Sequence, residues 1–364
     1  MRRVLTAMDV EWAVKGGSVL ACGGGGWPEH GRELGRAAVS IGRPELVSID
    51  EAPEDAWIAT AAAIGAPAGL TAWQMLGMDY VTAVRLLQEA LGAPLYGLII
   101  GQNGMSSTIN AWLPAAVLGI KVIDAVGDIR AHPTGDMGSL GLASRPEPTL
   151  QTVAGGNRER GQYLEASFRG ATAKVSPLLR AAADASGGFI ASCRNPIRAS
   201  YVREHAALGG ISVALALGQA IEQAEPRGAS AIIEAICGQL SGEILVSGRV
   251  TEKHLAYTSS AFDVGQIRIA GAGGEQALIH VMNEYMAVDG ATGRLATYPD
   301  VITTLGEDGM PVSAGRLQMG ATVHLLRVAK QHLALSSSVR DPAVYPIVEQ
   351  TLGIRIADYA LAQG

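Results

Sequence analysis

Short apolar runs alternate with amphipathic stretches along the first 145 residues of the chain. Apolar runs bounded by Gly, Pro or Asp predict β-strands, and apolar residues three or four positions apart predict helices. In the stretch 71–91, for example, Met75, Met78, Val81 and Val84 fall on one side of a helix. The pattern predicts strands at 18–22, 47–49, 58–64, 95–100 and 121–125, and helices at 10–15, from Pro28, at 71–91 and at 108–118.

This alternation predicts the fold class. Strands separated by helices of about ten to twenty residues are typical of a parallel sheet that is covered by helices on both faces. We therefore expect an α/β protein whose first domain, residues 1–165, is a doubly covered, mostly parallel sheet. In such sheets, ligands bind beyond the carboxyl ends of the strands.

The second half of the chain has a different pattern, and Arg145-Pro146-Glu147-Pro148 is a candidate boundary. After residue 242, short β segments follow one another with Gly-rich turns between them. We expect a mixed, β-rich C-terminal domain over 166–364. Its predicted strands are 166–175, 188–193, 244–250, 264–270, 277–281, 301–305 and 321–328, and its predicted helices are 177–185 and 197–224, the latter bent or broken near Gly209 and Gly210.

Composition narrows the class of protein. Of the 364 residues, 48% are apolar and 17% are charged, which is typical of a folded globular protein and not of a disordered one. The net charge of −6 argues against nucleic acid as a partner. No apolar stretch reaches the roughly 18 residues of a membrane span, and neither a signal peptide nor a disulfide framework is expected. We therefore expect a cytoplasmic protein without a nucleic-acid or membrane partner.

Four consecutive glycines, Gly23, Gly24, Gly25 and Gly26, separate the run 18–22 from the predicted helix. Glycine can adopt positive φ, so its N–H groups can form a concave cradle for an anion. A ligand-facing turn is favoured over a flexible surface loop, because it lies between a predicted strand and a helix. NAD binding stays an alternative. Asp50 lies about where the dinucleotide fingerprint needs an acid, but the third glycine is missing.

The densest polar cluster, 124–136, follows a predicted strand. Asp124, Asp128 and His132 could form an acid/base pair or hold a divalent metal, the metal most simply between Asp128 and His132. Arg130 could bind a substrate carboxylate through its guanidinium. We assign catalytic roles to the carboxylates and the histidine, and substrate binding to the arginine. The alternative is an ordinary polar loop with Asp–Arg pairing.

Two further turns end predicted strands. In the first, Asn283 and Glu284 could orient a ring amide through one donor and one acceptor, with Glu284 as a catalytic carboxylate. In the second, Gln102 and Asn103 precede a predicted helix and are candidate substrate-binding residues. The alternatives are a strand-terminating turn and a helix cap.

The chain resembles the S-methyl thiohydantoin desulfurase-like family over nearly its whole length. The resemblance rests on the order and spacing of eight segments: 23–28, 64–67, 122–125, 130–133, 265–269, 283–284, 299–302 and 320–323. It implies an α/β domain followed by a β-rich domain, and a hydrolase that acts on hydantoin-type rings. The chain departs from the family pattern in lacking an acidic residue near 102–104, and in its sequence at 128–134.

The leading hypothesis is a hydrolase of a small hydantoin, thiohydantoin or related cyclic amide. The N–H groups of residues 24–26 would stabilise an oxyanion, and Asp128 or His132 would activate water, alone or through a divalent metal. A non-catalytic partner subunit of a hydantoinase-like enzyme and a nucleotide-binding protein are the alternatives. The Gly-rich, apolar composition makes a homo-oligomer plausible.

Overall fold

The computed structural model of the chain describes residues 2–65, 73–258 and 262–362. The first sheet has the order β1-β2-β5-β4-β3-β8-β6-β7, with β9 paired to β5. Pairs among β2, β5, β4 and β3 are parallel, and the remaining pairs are antiparallel. These strands are β1 (Arg2–Val4), β2 (Glu45–Val47), β3 (Trp57–Gly65), β4 (Gly97–Ile100), β5 (Lys121–Val126), β6 (Thr149–Gly155), β7 (Leu164–Gly170), β8 (Phe189–Arg198) and β9 (Ala207–Leu208).

Both faces of this sheet are buried. Side chains alternate along a strand, and on β4 Leu98 joins one apolar core while Ile99 joins another. The first core contains α1 to α4, and the second contains α6. The expected doubly covered α/β domain is therefore confirmed. The helices are α1 (Ala7–Leu20), α2 (Pro28–Ile41), α3 (Gly77–Leu91), α4 (Trp112–Leu118), α5 (Thr172–Ala185), α6 (Ala199–His205), α7 (Gly210–Ala224) and α8 (Ala229–Leu240).

The C-terminal sheet is antiparallel, in the order β14-β13-β12-β11-β10-β16-β15. Leu20 of α1, Ile221 of α7 and Ile236 of α8 pack with Leu326 in one core, which joins this sheet to the first domain. The strands are β10 (Glu243–Tyr257), β11 (Asp263–Gly271), β12 (Gln276–Met282), β13 (Glu284–Gly290), β14 (Gly293–Thr297), β15 (Val301–Gly306) and β16 (Thr322–Val328), followed by helices α9 (Pro346–Leu352) and α10 (Ala357–Leu361). The β-rich second domain is confirmed. Among the described residues, no helix is long and apolar enough to span a membrane.

The predicted strand at 18–22 is wrong, because residues up to Leu20 belong to α1. The helix begins earlier than the predicted 10–15, with Thr6 as its N-cap and Asp9 completing a capping box. A short apolar run does not by itself distinguish a strand from a buried helix. Here Val19 and Leu20 pack with residues of α7 and α8, which decides for the helix.

Other predicted elements shift or divide. The helix predicted at 197–224 is broken by Gly209, with φ of +75°, into α6, β9 and α7. The strand predicted at 166–175 ends at Gly170, where α5 soon follows. Strands β6, β13 and β14 were not predicted. The start of the predicted helix at 71 and part of the segment 64–67 lie outside the described residues. The division at residue 165 stays a prediction.

Candidate active site

A cavity opens where β3, β4 and β5 end, between the first sheet and the β12–β13 turn. The cavity volume is about 60 Å³, whereas a single water molecule needs about 10–15 Å³. The space therefore suits a small molecule far better than a dinucleotide. Its polar lining includes Gly25, Gly26, Gln102, Ser107, His132, Thr134, Ser176, Arg180, Arg194, Asn283 and Glu284.

The glycine turn follows a helix and not a strand, so the strand–turn–helix setting of the dinucleotide fingerprint is absent here. Gly23, Gly25 and Gly26 have φ of +85°, +73° and +87°, a region open to glycine. The N–H of Gly25 faces Glu284, with 3.4 Å between the nitrogen and Oε1. Gly24 packs against the same carboxylate, where a Cβ would overlap Oε1. The cradle thus faces a carboxylate of the C-terminal domain.

We expect Gly26→Ala to destabilise the fold by at least about 2 kcal/mol, since it combines left-handed strain with an overlap. At φ of +87°, the new Cβ would overlap Ser106 Oγ. Gly92→Ala is the control, because Gly92 has φ of +69° and open space around it. Denaturant unfolding should show a larger loss for Gly26→Ala, and Ser106→Ala in the same chain should recover the difference. Equal losses for the two glycine variants would contradict a steric role for Ser106.

Glu284 begins β13 and is 3% exposed. Its Oε2 is buried without a hydrogen-bond partner among the described residues, while Oε1 accepts from Gly25. Burial raises the pKa of Glu284 to about 8, although the positive charges of Arg130 and Arg180 lower it. A carboxyl group that keeps its proton at neutral pH can act as a general acid. Asn283, the residue before Glu284, has φ of +55°. Its side-chain oxygen accepts a hydrogen bond from the N–H of Asp263 at 2.9 Å, which fixes the β12–β13 turn.

His132 reaches the cavity with Asp128 behind it. Its Nδ1 lies 3.4 Å from Asp128 Oδ2 and has no hydrogen-bond partner among the described residues. Catalytic hydrogen bonds are often long in ligand-free structures. The backbone N–H of His132 donates to Gln102 Oε1 at 3.1 Å. A Cβ on Gly138 would lie 2.8 Å from Nε2, so this glycine makes room for the ring.

Six sequence candidates lie outside the cavity lining: Gly23, Gly24 and Asp128, and three whose polar side chains are engaged elsewhere. Arg130 is fully buried and donates to the carbonyls of Ala131, Asp300 and Tyr285, at 2.9, 2.7 and 2.8 Å. These bonds join the two domains and leave the guanidinium no access to a substrate. Asp124 accepts from the N–H groups of Ile211 and Ser212, both at 3.0 Å, and caps α7. Asn103 donates to two backbone carbonyls. None of the three lines the cavity.

Two arginines absent from the sequence candidates line the cavity instead, Arg180 of α5 and Arg194 of β8. Burial lowers the pKa of Arg180 to about 10, while Glu284 raises it, and burial also lowers the pKa of Arg194. Arg180 donates to the Gly65 carbonyl at 3.2 Å, and Arg194 to the Gly135 carbonyl at 2.7 Å. A signal for Arg194 existed, since it interrupts an apolar strand. The sequence holds no such signal for Arg180, because the residues around it have the pattern of an exposed helix.

For the expected divalent metal, the described donor set does not fit a zinc site. A protein zinc site takes at least three protein ligands. No group of three or more His, Cys, Asp or Glu side chains in the described part of the chain could hold a metal ion. Asp128 Oδ2 also accepts the Tyr298 hydroxyl at 2.7 Å. The Asp128–His132 pair therefore suits proton transfer better than coordination.

Comparison with known proteins gives two family matches. The model for S-Me-THD-like, N-terminal domain, matches residues 8–160, and that for S-Me-THD-like, C-terminal domain, matches residues 171–337. A crystal structure of a protein from Chromobacterium violaceum aligns with a TM-score of 0.73 and 22% identity, covering 97% of this chain and 96% of that one. That likeness is one of fold. No curated protein matches the sequence.

Proposed function

Because the chain belongs to the S-Me-THD-like family, we propose that it is a hydrolase of a small hydantoin or thiohydantoin ring. The observation that carries the proposal is the carboxyl oxygen Oε2 of Glu284, which is buried and has no hydrogen-bond partner among the described residues. Glu284 lines the same cavity as His132. Buried polar atoms in folded proteins usually have a partner. A bound substrate would supply the missing one.

The two side chains suit a division of acid and base roles. His132 Nε2 accepts a proton from water as the water oxygen bonds to the ring carbon. The bond from that carbon to sulfur, or to the ring nitrogen, then breaks. The departing atom takes the proton of Glu284, whose pKa of about 8 keeps it protonated at neutral pH. The proton on His132 returns to Glu284 through solvent, so the enzyme ends as it began.

The remaining lining supports this chemistry. The glycine turn lines the cavity as well, and the N–H of Gly26 can hydrogen-bond an oxyanion at the attacked carbon. Arg180 and Arg194 bring positive charge to the cavity wall, which suits a substrate with an anionic part. The small volume of the cavity suits a substrate with a single ring and short substituents.

The test is an assay of the purified chain with hydantoins, S-methyl thiohydantoins and simple cyclic amides, with and without chelator. Ring opening and thiol release are followed separately. We expect turnover that chelator does not abolish and that His132→Gln reduces by about 10²-fold or more. The control is His254→Gln, because His254 is exposed and outside this cavity.

The other results have distinct meanings. Turnover that chelator abolishes would favour a metal-dependent reaction over the proposed acid–base pair. No turnover with any ring would overturn the proposal and favour a non-catalytic subunit that works beside a hydantoinase-like partner. Equal activity of the two histidine variants would remove His132 from the mechanism.

A further inference from the structure

Tyr298 connects the C-terminal domain to the His132–Asp128 pair. It follows β14, is fully buried, and its hydroxyl donates to Asp128 Oδ2 at 2.7 Å. Burial and the Asp128 charge raise the pKa of Tyr298 well above that of a free phenol, so the hydroxyl keeps its proton and stays a donor. Sequence reasoning alone allows this tyrosine only a role in a turn.

Two other side chains hold the ring of Tyr298 in place. The Arg130 guanidinium lies over its face, 5.3 Å from the ring centroid, a cation–π arrangement. Tyr345 meets it edge-on with centroids 6.2 Å apart. Arg130 is in turn fixed by backbone carbonyls of both domains. The hydroxyl therefore has a defined position.

Asp128 has the matching arrangement. Its Oδ1 accepts from the backbone N–H of Arg130 at 3.3 Å, and its Oδ2 lies between the Tyr298 hydroxyl and His132 Nδ1. A carboxylate held on both oxygens cannot rotate freely away from the imidazole. A carboxylate beside one ring nitrogen decides which nitrogen carries the proton.

We propose that Tyr298 is a positioning residue, which holds Asp128 so that His132 carries its proton on Nδ1 and presents a free Nε2 to the cavity. This rests on the proposed function only for its effect on turnover. The tautomer of His132 is a property of the protein without substrate. Because Tyr298 belongs to the C-terminal domain, the tautomer of His132 depends on how that domain packs against Asp128.

The test compares Tyr298→Phe with Tyr345→Phe. Tyr345 is also buried and touches the same ring, and Tyr345→Phe loses a hydrogen bond to the Val339 carbonyl and not one to Asp128. We expect Tyr298→Phe to lower kcat about tenfold to a hundredfold with little change in KM, as loss of a supporting hydrogen bond does at other sites. ¹⁵N NMR of histidine-labelled protein should show the Nδ1–H tautomer of His132 in the native chain and a mixture in Tyr298→Phe.

Each result decides the proposal. Unchanged tautomer and kcat in Tyr298→Phe, or equal changes in Tyr345→Phe, would overturn it. A native His132 protonated on Nε2 would overturn it as well, even if Tyr298→Phe fails to fold. If no ring is turned over, the function fails, and the NMR comparison still tests the positioning role.

Discussion

Glu284→Gln should lower kcat by about 10²- to 10⁴-fold, the usual worth of a positioned acid or base. Glutamine matches the shape of glutamate and can still accept from the Gly25 N–H, but it has no carboxyl proton for the leaving group. In the native chain, kcat should fall as pH rises past about 8, where Glu284 loses its proton. The variant should lack this decline.

Glu284→Gln has a second signature, in stability. The folded chain keeps the Glu284 proton up to about pH 8, whereas the unfolded chain releases it near the ordinary value of 4.5. The contribution of this group to the free energy of unfolding is therefore largest below the unfolded pKa and falls as pH rises towards 8. Relative to Glu284→Gln, the native chain should lose about 4 kcal/mol between pH 5 and pH 8.

Glu307→Gln is the matched control, since Glu307 is exposed and outside the cavity. It should match the native chain in both kcat and the pH dependence of urea unfolding. A Glu284→Gln chain with native kcat would exclude the general acid. If the variant loses activity but its free energy of unfolding changes with pH as that of the native chain does, the folded pKa of Glu284 is not raised.

Asp128→Asn should lower kcat by about 10³- to 10⁴-fold. Asparagine keeps the shape, and its carbonyl oxygen can still accept from the Arg130 backbone N–H, which puts its NH2 in the place of Oδ2, facing His132 Nδ1 and the Tyr298 hydroxyl oxygen. The histidine would then carry its proton on Nε2 and lose the lone pair that the reaction needs. Where a carboxylate orients a catalytic histidine in Ser-His-Asp enzymes, the same change costs about 10⁴.

Single-turnover measurements and histidine NMR together check this result. KM should change little, because Asp128 does not line the cavity. Asp50→Asn is the control, since its side chain is 75% exposed. Native turnover in Asp128→Asn, with the His132 tautomer unchanged, would show that Asp128 serves only the packing of the loop.

The amino-acid sequence by itself determined the α/β first domain and the β-rich second domain. Strands such as β3, β4 and β5 are apolar on both faces, and this pattern is local. It also identified the segments around Gly25, Gln102, His132 and Glu284 that line the cavity, because glycine or polar residues follow an apolar run at each of them.

Only the tertiary structure decided which polar residues reach the cavity. Arg130 lies in the polar loop that the sequence favours as a site and Arg180 in a predicted helix, yet Arg130 is bound by carbonyls of both domains and Arg180 lines the cavity. Likewise, Leu20 ends a helix because α7 and α8 pack against that end. The contact of Glu284 with Gly25 joins residues 259 positions apart, and the link from Tyr298 to Asp128 joins residues 170 positions apart. Burial and long-range hydrogen bonds depend on the folded neighbours of a side chain, which a local pattern does not contain.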